Sequence, residues 1–378
     1  MLSKIKHNEY FIKLFQWLGG VVNHLLPKKK RIVLYSNWGF RDNVRYLYDY
    51  LIDHSYNEKY QIVCASNDFY DLDRTVPRNV VFTRSKIDTL RYFLTSNYFF
   101  YCFGGIPIKS VKNQTIVNLW HGMPIKKIGR LESGMSRDIN YFDYLISYSD
   151  FFSPVLKESF DVDQDKIIIA NAPRNEVFIS QSGSASKKDK VIAWLPTYRK
   201  SSKLDSQNGA SDEIIPLFND LDDFRKFDQF LKSVGIRMFV KLHPLQDRIN
   251  IPKNLTNMIF IDDSWLFEQH TDLYTFLAET DALITDYSSV SIDYLLLNRP
   301  IFYVMNDQQA YANTRGFNYT LDQFIAGQVV QNMDQFRYVL LNFSKDQDGF
   351  AKLRREKINT FYSGSSAGIK EMLGLVGI

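Results

Sequence analysis

Two histidines stand directly after apolar runs. His121 lies in Asn118-Leu119-Trp120-His121-Gly122-Met123-Pro124-Ile125-Lys126-Lys127, and His243 in Lys241-Leu242-His243-Pro244. An imidazole titrates near neutrality, so it can take a proton from an attacking hydroxyl or, when charged, face an anion. Two further runs end in polar residues: Leu195-Pro196-Thr197-Tyr198-Arg199 and Ile284-Thr285-Asp286-Tyr287-Ser288-Ser289. The second would deliver two serines to the start of a helix, where unpaired N–H groups and the helix dipole favour an anion. Each feature has a plainer use, as a satisfied polar strand end or a helix cap. Their coincidence argues for function: two of only six histidines occupy equivalent strand ends, one in each half of the chain.

The elements that must position them read as alternating strands and helices. Strands are expected at Arg31–Ser36, Gln61–Ala65, Val80–Thr83, Tyr98–Phe103, Thr115–Leu119, Tyr144–Ser147 and Lys166–Ala170, with helices such as Asn43–Ile52, Lys86–Leu94 and Ser153–Phe160 between them. Residues 180–189, SQSGSASKKD, contain no large apolar side chain and read as a linker. The alternation restarts with strands Val191–Leu195, Arg237–Leu242, Met258–Ile261, Ala282–Thr285 and Ile301–Val304, and helices near Asp222–Ser233, Leu273–Glu279 and Val290–Leu297. Such βαβ alternation implies two mostly parallel, doubly wound sheets facing a cleft. Ligands bind such sheets at the carboxyl ends of strands, where the four motifs fall. The expected division is 1–30 as a basic amphipathic segment, 31–180 as an N-terminal Rossmann-like domain, 181–189 as the linker and 190–378 as a C-terminal Rossmann-like domain. Its last helices can pack back on the N-terminal domain.

At 378 residues and 44.3 kDa, with 45% apolar and 23% charged residues, the chain is globular and neither disordered nor low in complexity. Its two cysteines, Cys64 and Cys102, sit in apolar runs without CxxC spacing, which excludes a disulfide framework or a zinc cage. The net charge of +4 is uneven: residues 1–31 carry +6 and the rest −2. Basic charge spread over the fold would suggest nucleic acid; confined to one terminus it suggests an anionic membrane surface. Phe11, Phe15, Leu18, Val22 and Leu25 recur at helical spacing, with Lys4, Lys6, Lys13 and the Lys28-Lys29-Lys30-Arg31 cluster around them. This describes an interfacial helix, with a core-packed helix as the alternative. Gly19-Gly20 weakens its centre. No stretch reaches the roughly 20 apolar residues of a membrane span. Asp71-Leu72-Asp73 has DxD spacing in a turn-like stretch. Asp161–Asp165 begins like a calcium loop but has Lys166 where Gly is required and Ala172 where the bidentate Glu belongs. There is no P-loop. No metal and no cofactor are expected.

Together the motifs resemble those of the CDP-glycerol glycerophosphotransferase family, bacterial enzymes that prime and polymerise teichoic acids and related capsule polymers. The resemblance rests on Trp120-His121-Gly122-x-Pro124-x-Lys126, Asn171-Ala172-Pro173-Arg174-Asn175, Pro196-Thr197-x-Arg199, Leu242-His243-Pro244 and Thr285-Asp286-Tyr287-Ser288-Ser289, extended by Asn298-Arg299-Pro300-Ile301 and Arg315-Gly316. It covers roughly residues 31–320. Met123, Lys241 and Ser291-Ile292 depart from the usual pattern. The resemblance implies a GT-B-like α/β architecture and a CDP-glycerol or CDP-ribitol donor bound on the C-terminal domain. It implies that both histidines matter, that Arg199, Thr285, Ser288 and Ser289 grip the donor phosphates, and that Asn175, Thr197 and Asp286 belong to the substrate site.

For such a donor, an acceptor hydroxyl attacks the β-phosphorus and CMP leaves. The leaving phosphate has a second pKa near 6 and needs little protonation, whereas the alcohol benefits from a base. His121 is the candidate base and His243 a phosphate ligand. Lys126, Arg174, Arg199 and Lys241 are the cations available to the spreading negative charge. The acceptor expected is an undecaprenyl-linked saccharide at the cytoplasmic face of the membrane, where the anionic inner leaflet would meet the basic segment. The chain's length favours a primase over a polymerase. A GT-B glycosyltransferase using a nucleotide sugar, a polyol-phosphate polymerase and a non-catalytic membrane-bound scaffold remain alternatives.

Overall fold

The computed structural model describes residues 9–132, 140–180, 189–197, 200–201, 206–207, 215–242, 251–364 and 368–378. His243, Arg199, Lys4, Lys6 and the linker residues 181–188 lie outside them. The chain divides into two compact units. One comprises residues 1–121, 129–176 and 362–378, the other 122–128 and 177–361.

The first unit is built on β1 (Lys29–Ser36), β2 (Gln61–Ser66), β3 (Val80–Thr83), β4 (Ser96–Phe103), β5 (Thr115–Asn118), β6 (Tyr144–Ser147) and β7 (Ile167–Ile169). All pair in parallel, in the order β3-β2-β1-β4-β5-β6-β7. Both faces are covered, which is why these strands read as continuous apolar runs. On one face Leu47 and Leu51 of the Asn43–Asp53 helix pack on Ile32, Leu34 and Ile62. Ile369, Met372, Leu373 and Val376 at the chain's end join the same core. The order reverses direction between β1 and β4, so the topological switch point lies where these strands end, one strand from the end of β5.

The second unit uses β8 (Lys190–Trp194), a two-stranded ribbon of β9 (Lys200–Ser201) and β10 (Ser206–Gln207), then β11 (Ile236–Lys241), β12 (Met258–Ile261), β13 (Ala282–Thr285), β14 (Ile301–Val304) and β15 (Gln328–Val330). Its main sheet, also parallel, runs β12-β11-β8-β13-β14-β15, with the switch point between β8 and β13. Trp194, Phe218, Phe224, Phe227 and Phe336 form the centre of its core. Both sheets therefore have the doubly wound order expected, and the strands named from sequence fall within two residues of those observed.

Candidate functional site

In the first unit, β5 ends at Asn118, whose Oδ1 accepts from the Trp120 N–H at 2.9 Å and turns the chain out of the sheet. Trp120 then takes φ +54° and Gly122 φ +128°. Glycine tolerates such angles; a tryptophan does so only under constraint from its surroundings. Between them His121 is stacked on Phe103, with ring centroids 4.8 Å apart, and lies 4.0 Å from the Trp120 ring. Its Nδ1 is 3.2 Å from the Cys102 carbonyl. A carbonyl only accepts, so Nδ1 carries the proton in the neutral ring and Nε2 holds the lone pair, as a general base requires. The Cys102 thiol is buried, and that burial, with Asp42 adding to it, pushes its pKa well up. It is a packing residue and not a thiolate nucleophile.

Two of the four cations expected at the phosphates prove to be engaged within their own units. Arg174, its side chain 3% exposed, donates from one guanidinium nitrogen to both Asp42 carboxylate oxygens at 2.9 and 2.8 Å. Lys241, 8% exposed, pairs with Asp263 at 2.9 Å. Burial makes each pair's integrity a condition of folding, because a lone buried charge is costly. Lys126 is half-buried, with Nζ 6.0 Å from the centre of the Tyr311 ring. Its segment is fixed by Asn318, whose side-chain amide donates to the carbonyls of Pro124 and Lys126 at 3.0 and 2.7 Å. Asn175 is fully buried, and neither its Oδ1 nor its Nδ2 has a hydrogen-bond partner among the described residues.

In the second unit the residues after β8 and β13 meet at the switch point. Asp286, 1% exposed, accepts from the Thr197 N–H at 3.0 Å, the Thr197 hydroxyl at 2.9 Å and the Tyr287 N–H at 2.7 Å. Thr285 is buried and its hydroxyl donates to the Leu195 carbonyl at 2.9 Å. Tyr287 donates to Asp307 at 2.9 Å and stacks on Tyr311 at 4.0 Å. Asp286 and Thr285 thus brace the two loops. Ser288 and Ser289 remain half-exposed at the start of the Val290–Tyr294 helix, and the Ser289 side chain makes no capping bond. That helix is five residues long and continues as a 3-10 turn over Leu295–Leu297, so its dipole is small. Among the described residues no group of three or more His, Cys, Asp or Glu is placed to hold a metal ion.

The Glu9–Leu25 helix is attached by its polar edge. Asn23, fully buried, donates to Gln114 Oε1 at 2.8 Å and to the Lys109 carbonyl at 3.1 Å, and Gln16 donates to Tyr141. Gly19 lies so close to Ile108 that a Cβ there would stand 2.5 Å from its Cδ1. The glycine read from sequence as a weak point is therefore a close-approach position. The apolar side chains face outward: Trp17 is 66% exposed, Leu25 74%, Leu14 51% and Leu18 50%. Lys28 is not available to lipid. Its ammonium donates to the Asn23 carbonyl, to Asn23 Oδ1 and to the Leu94 carbonyl, and burial lowers its pKa. Arg31, 7% exposed, donates to Gln61 and Thr95. Of the basic cluster, Lys29 and Lys30 stay exposed. Among the described residues no helix is long and apolar enough to cross a membrane.

Sequence reasoning missed Asn43, whose Nδ2 donates to the Leu119 and Trp120 carbonyls ahead of His121, and Asp42, which accepts from the Asn43 N–H. Their one signal was an Asp-Asn pair opening an amphipathic helix, which reads as an ordinary cap.

Two parallel, doubly wound sheets, each with its polar residues gathered past the carboxyl ends of its strands, make a GT-B-like fold. The chain belongs to the CDP-Glycerol:Poly(glycerophosphate) glycerophosphotransferase family, whose model matches residues 20–369. It is 26% identical to the teichoic acid poly(ribitol-phosphate) polymerase of Bacillus spizizenii over 90% of this chain and 54% of that one. The chain thus spans about half the length of that relative. It is 23% identical to the teichoic acid poly(glycerol phosphate) polymerase of the same organism, over 89% of each chain. A solved structure of the wall teichoic acid polymerase TagF shares the fold, with a TM-score of 0.71 and 22% identity over 97% of this chain and 92% of that one. A relative of matching span is itself called a polymerase, so length does not separate primase from polymerase.

Proposed function

We propose that this protein transfers glycerol phosphate or ribitol phosphate from a CDP-alcohol to a hydroxyl of a lipid-linked acceptor in teichoic acid-type polymer synthesis. The observation that carries the chemistry is His121, held with its Nδ1 toward the Cys102 carbonyl in a chain of this family. The acceptor oxygen attacks the β-phosphorus and its proton passes to Nε2. The bond from that phosphorus to the bridging oxygen breaks, and CMP departs with the electron pair. The imidazolium then returns its proton to solvent. Ser288 and Ser289 offer hydroxyl and N–H donors to the donor phosphates, and Arg199 and His243 complete the expected set from outside the described residues. The test is incubation of the full chain and a lipid-linked saccharide with CDP-glycerol, CDP-ribitol and UDP-sugars. Acceptor-dependent CMP release is the expected result. UDP release, or no nucleotide release at all, overturns the proposal.

The same reading places the Glu9–Leu25 helix on an anionic membrane surface at the cytoplasmic face, where a lipid-linked acceptor would be presented. Its support is the outward apolar face flanked by Lys13, Lys29 and Lys30. Changing Trp17 and Leu18 together to Glu alters exposed side chains only, so thermal stability should hold while co-sedimentation with anionic vesicles falls about tenfold or more. Undiminished sedimentation of a folded double variant would remove the helix from the membrane.

A further inference from the structure

We infer that Asn43 is a positioning residue for His121, acting through the strained turn at Trp120. Asn43 is fully buried at the start of the Asn43–Asp53 helix. Its Nδ2 donates to the Trp120 carbonyl at 2.8 Å and to the Leu119 carbonyl at 3.3 Å. Its Oδ1 accepts from the Arg174 N–H at 3.2 Å, and its own N–H donates to Asp42 Oδ1 at 2.7 Å. Asp42 in turn holds the Arg174 guanidinium. One primary amide therefore ties three chain segments together at the peptide immediately before His121.

The strain says why the amide matters. Trp120 sits at φ +54°, a conformation that a bulky side chain keeps only when its surroundings leave no alternative. Relaxing that angle would rotate the Trp120–His121 peptide. The ring would then swing off Phe103 and carry Nδ1 away from the Cys102 carbonyl. The Trp120 N–H is fixed by Asn118 on one side, and its carbonyl is fixed by Asn43 on the other. Asp42, itself at φ +62°, adds a second strained residue to the same network. Two unfavourable backbone angles, joined by one fully buried amide, make a rigid seat for the ring and not a simple helix cap. No other described residue is seen to hold the Trp120 carbonyl.

This inference rests on His121 being the base, and the test separates the two. With ε1-13C histidine in the full chain, His121→Ala assigns the His121 signal among the six histidines. Asn43→Ala should shift that signal, because the ring leaves the faces of Phe103 and Trp120. It should also lower kcat about ten- to a hundredfold, as a misplaced catalytic group does, with the donor KM nearly unchanged. Leu47→Ala, on the same helix and equally buried, is the control. It should lower the melting temperature and leave the His121 signal in place. Should Asn43→Ala not fold, Asn43→Asp carries the test: it keeps Oδ1 for the Arg174 N–H but turns an oxygen toward two carbonyls. A folded Asn43 variant whose His121 signal superimposes on the wild type overturns the inference, even if His121→Ala is inactive. A fully active His121→Ala overturns the base assignment instead, and the resonance still decides whether Asn43 positions the ring.

Discussion

Beyond β5 the first unit holds a titratable ring between aromatic faces, with one nitrogen committed to a carbonyl and the other carrying the lone pair. Beyond β13 the second unit holds a carboxylate already saturated by the donors of Thr197 and Tyr287. The two sheets have the same order about their switch points, so topology does not explain the difference. The donor and acceptor inventory does. An imidazole whose Nδ1 faces a carbonyl keeps Nε2 as its basic nitrogen. A carboxylate that accepts from Thr197 and Tyr287 ties its two loops together, and the hydroxyls of Ser288 and Ser289 beside it make few bonds of their own. On the proposed reading, the first end serves proton transfer and the second presents donors rigidly.

Exchanging the readouts should break this contrast if it is wrong. His121→Ala should lower kcat by at least about 10²-fold, the low end for a lost general base, with little change in melting temperature. Asp286→Ala should act on stability first. It strips the buried Tyr287 N–H of its acceptor, at about 1–3 kcal/mol, and the half-buried Thr197 N–H and hydroxyl of theirs at less. A urea melt of the full chain should therefore show a loss of about 2 kcal/mol or more. An Asp286→Ala protein that melts like the wild type would show that its hydrogen bonds are incidental. A near-normal His121→Ala would dissolve the contrast from the other side.

What the sequence revealed follows the range of the forces involved. Strands buried on both faces announce themselves as apolar runs, and the strand-end histidine stands out beside them. β15, with Val329-Val330 as its apolar content, and the ribbon of β9 and β10 are too short to leave such a run. The return of residues 362–378 to the first unit could be raised but not fixed from sequence, because an apolar stripe such as Ile369, Met372 and Leu373 names no particular sheet. Charges were legible and their partners were not. Arg174 and Lys241 looked like phosphate ligands until Asp42 and Asp263 appeared beside them. Lys28 likewise counted toward a lipid-facing cluster although it closes the end of its own helix. Asn43 was invisible for the same reason: its partners, Leu119 and Trp120, are neighbours only in the folded chain.

The smallest effect sharpens the second half of the contrast. The fold makes little use of the two serine hydroxyls. Ser288 Oγ accepts from the Val290 N–H at 3.5 Å, the outer limit for a bond, and Ser289 caps nothing with its side chain. Changing both to Ala should therefore leave the melting temperature nearly unaltered. If the hydroxyls face the donor pyrophosphate, each lost charge-assisted bond is worth about 1.5–3 kcal/mol. The expected loss sits at the low end, about tenfold in Kd for the CDP-alcohol, because the backbone N–H groups stay in place and the five-residue helix adds little dipole. Titration calorimetry with CDP-glycerol on the double variant measures it. An affinity equal to that of the wild type would take the donor phosphates away from the end of β13 and leave the second switch point as a brace alone.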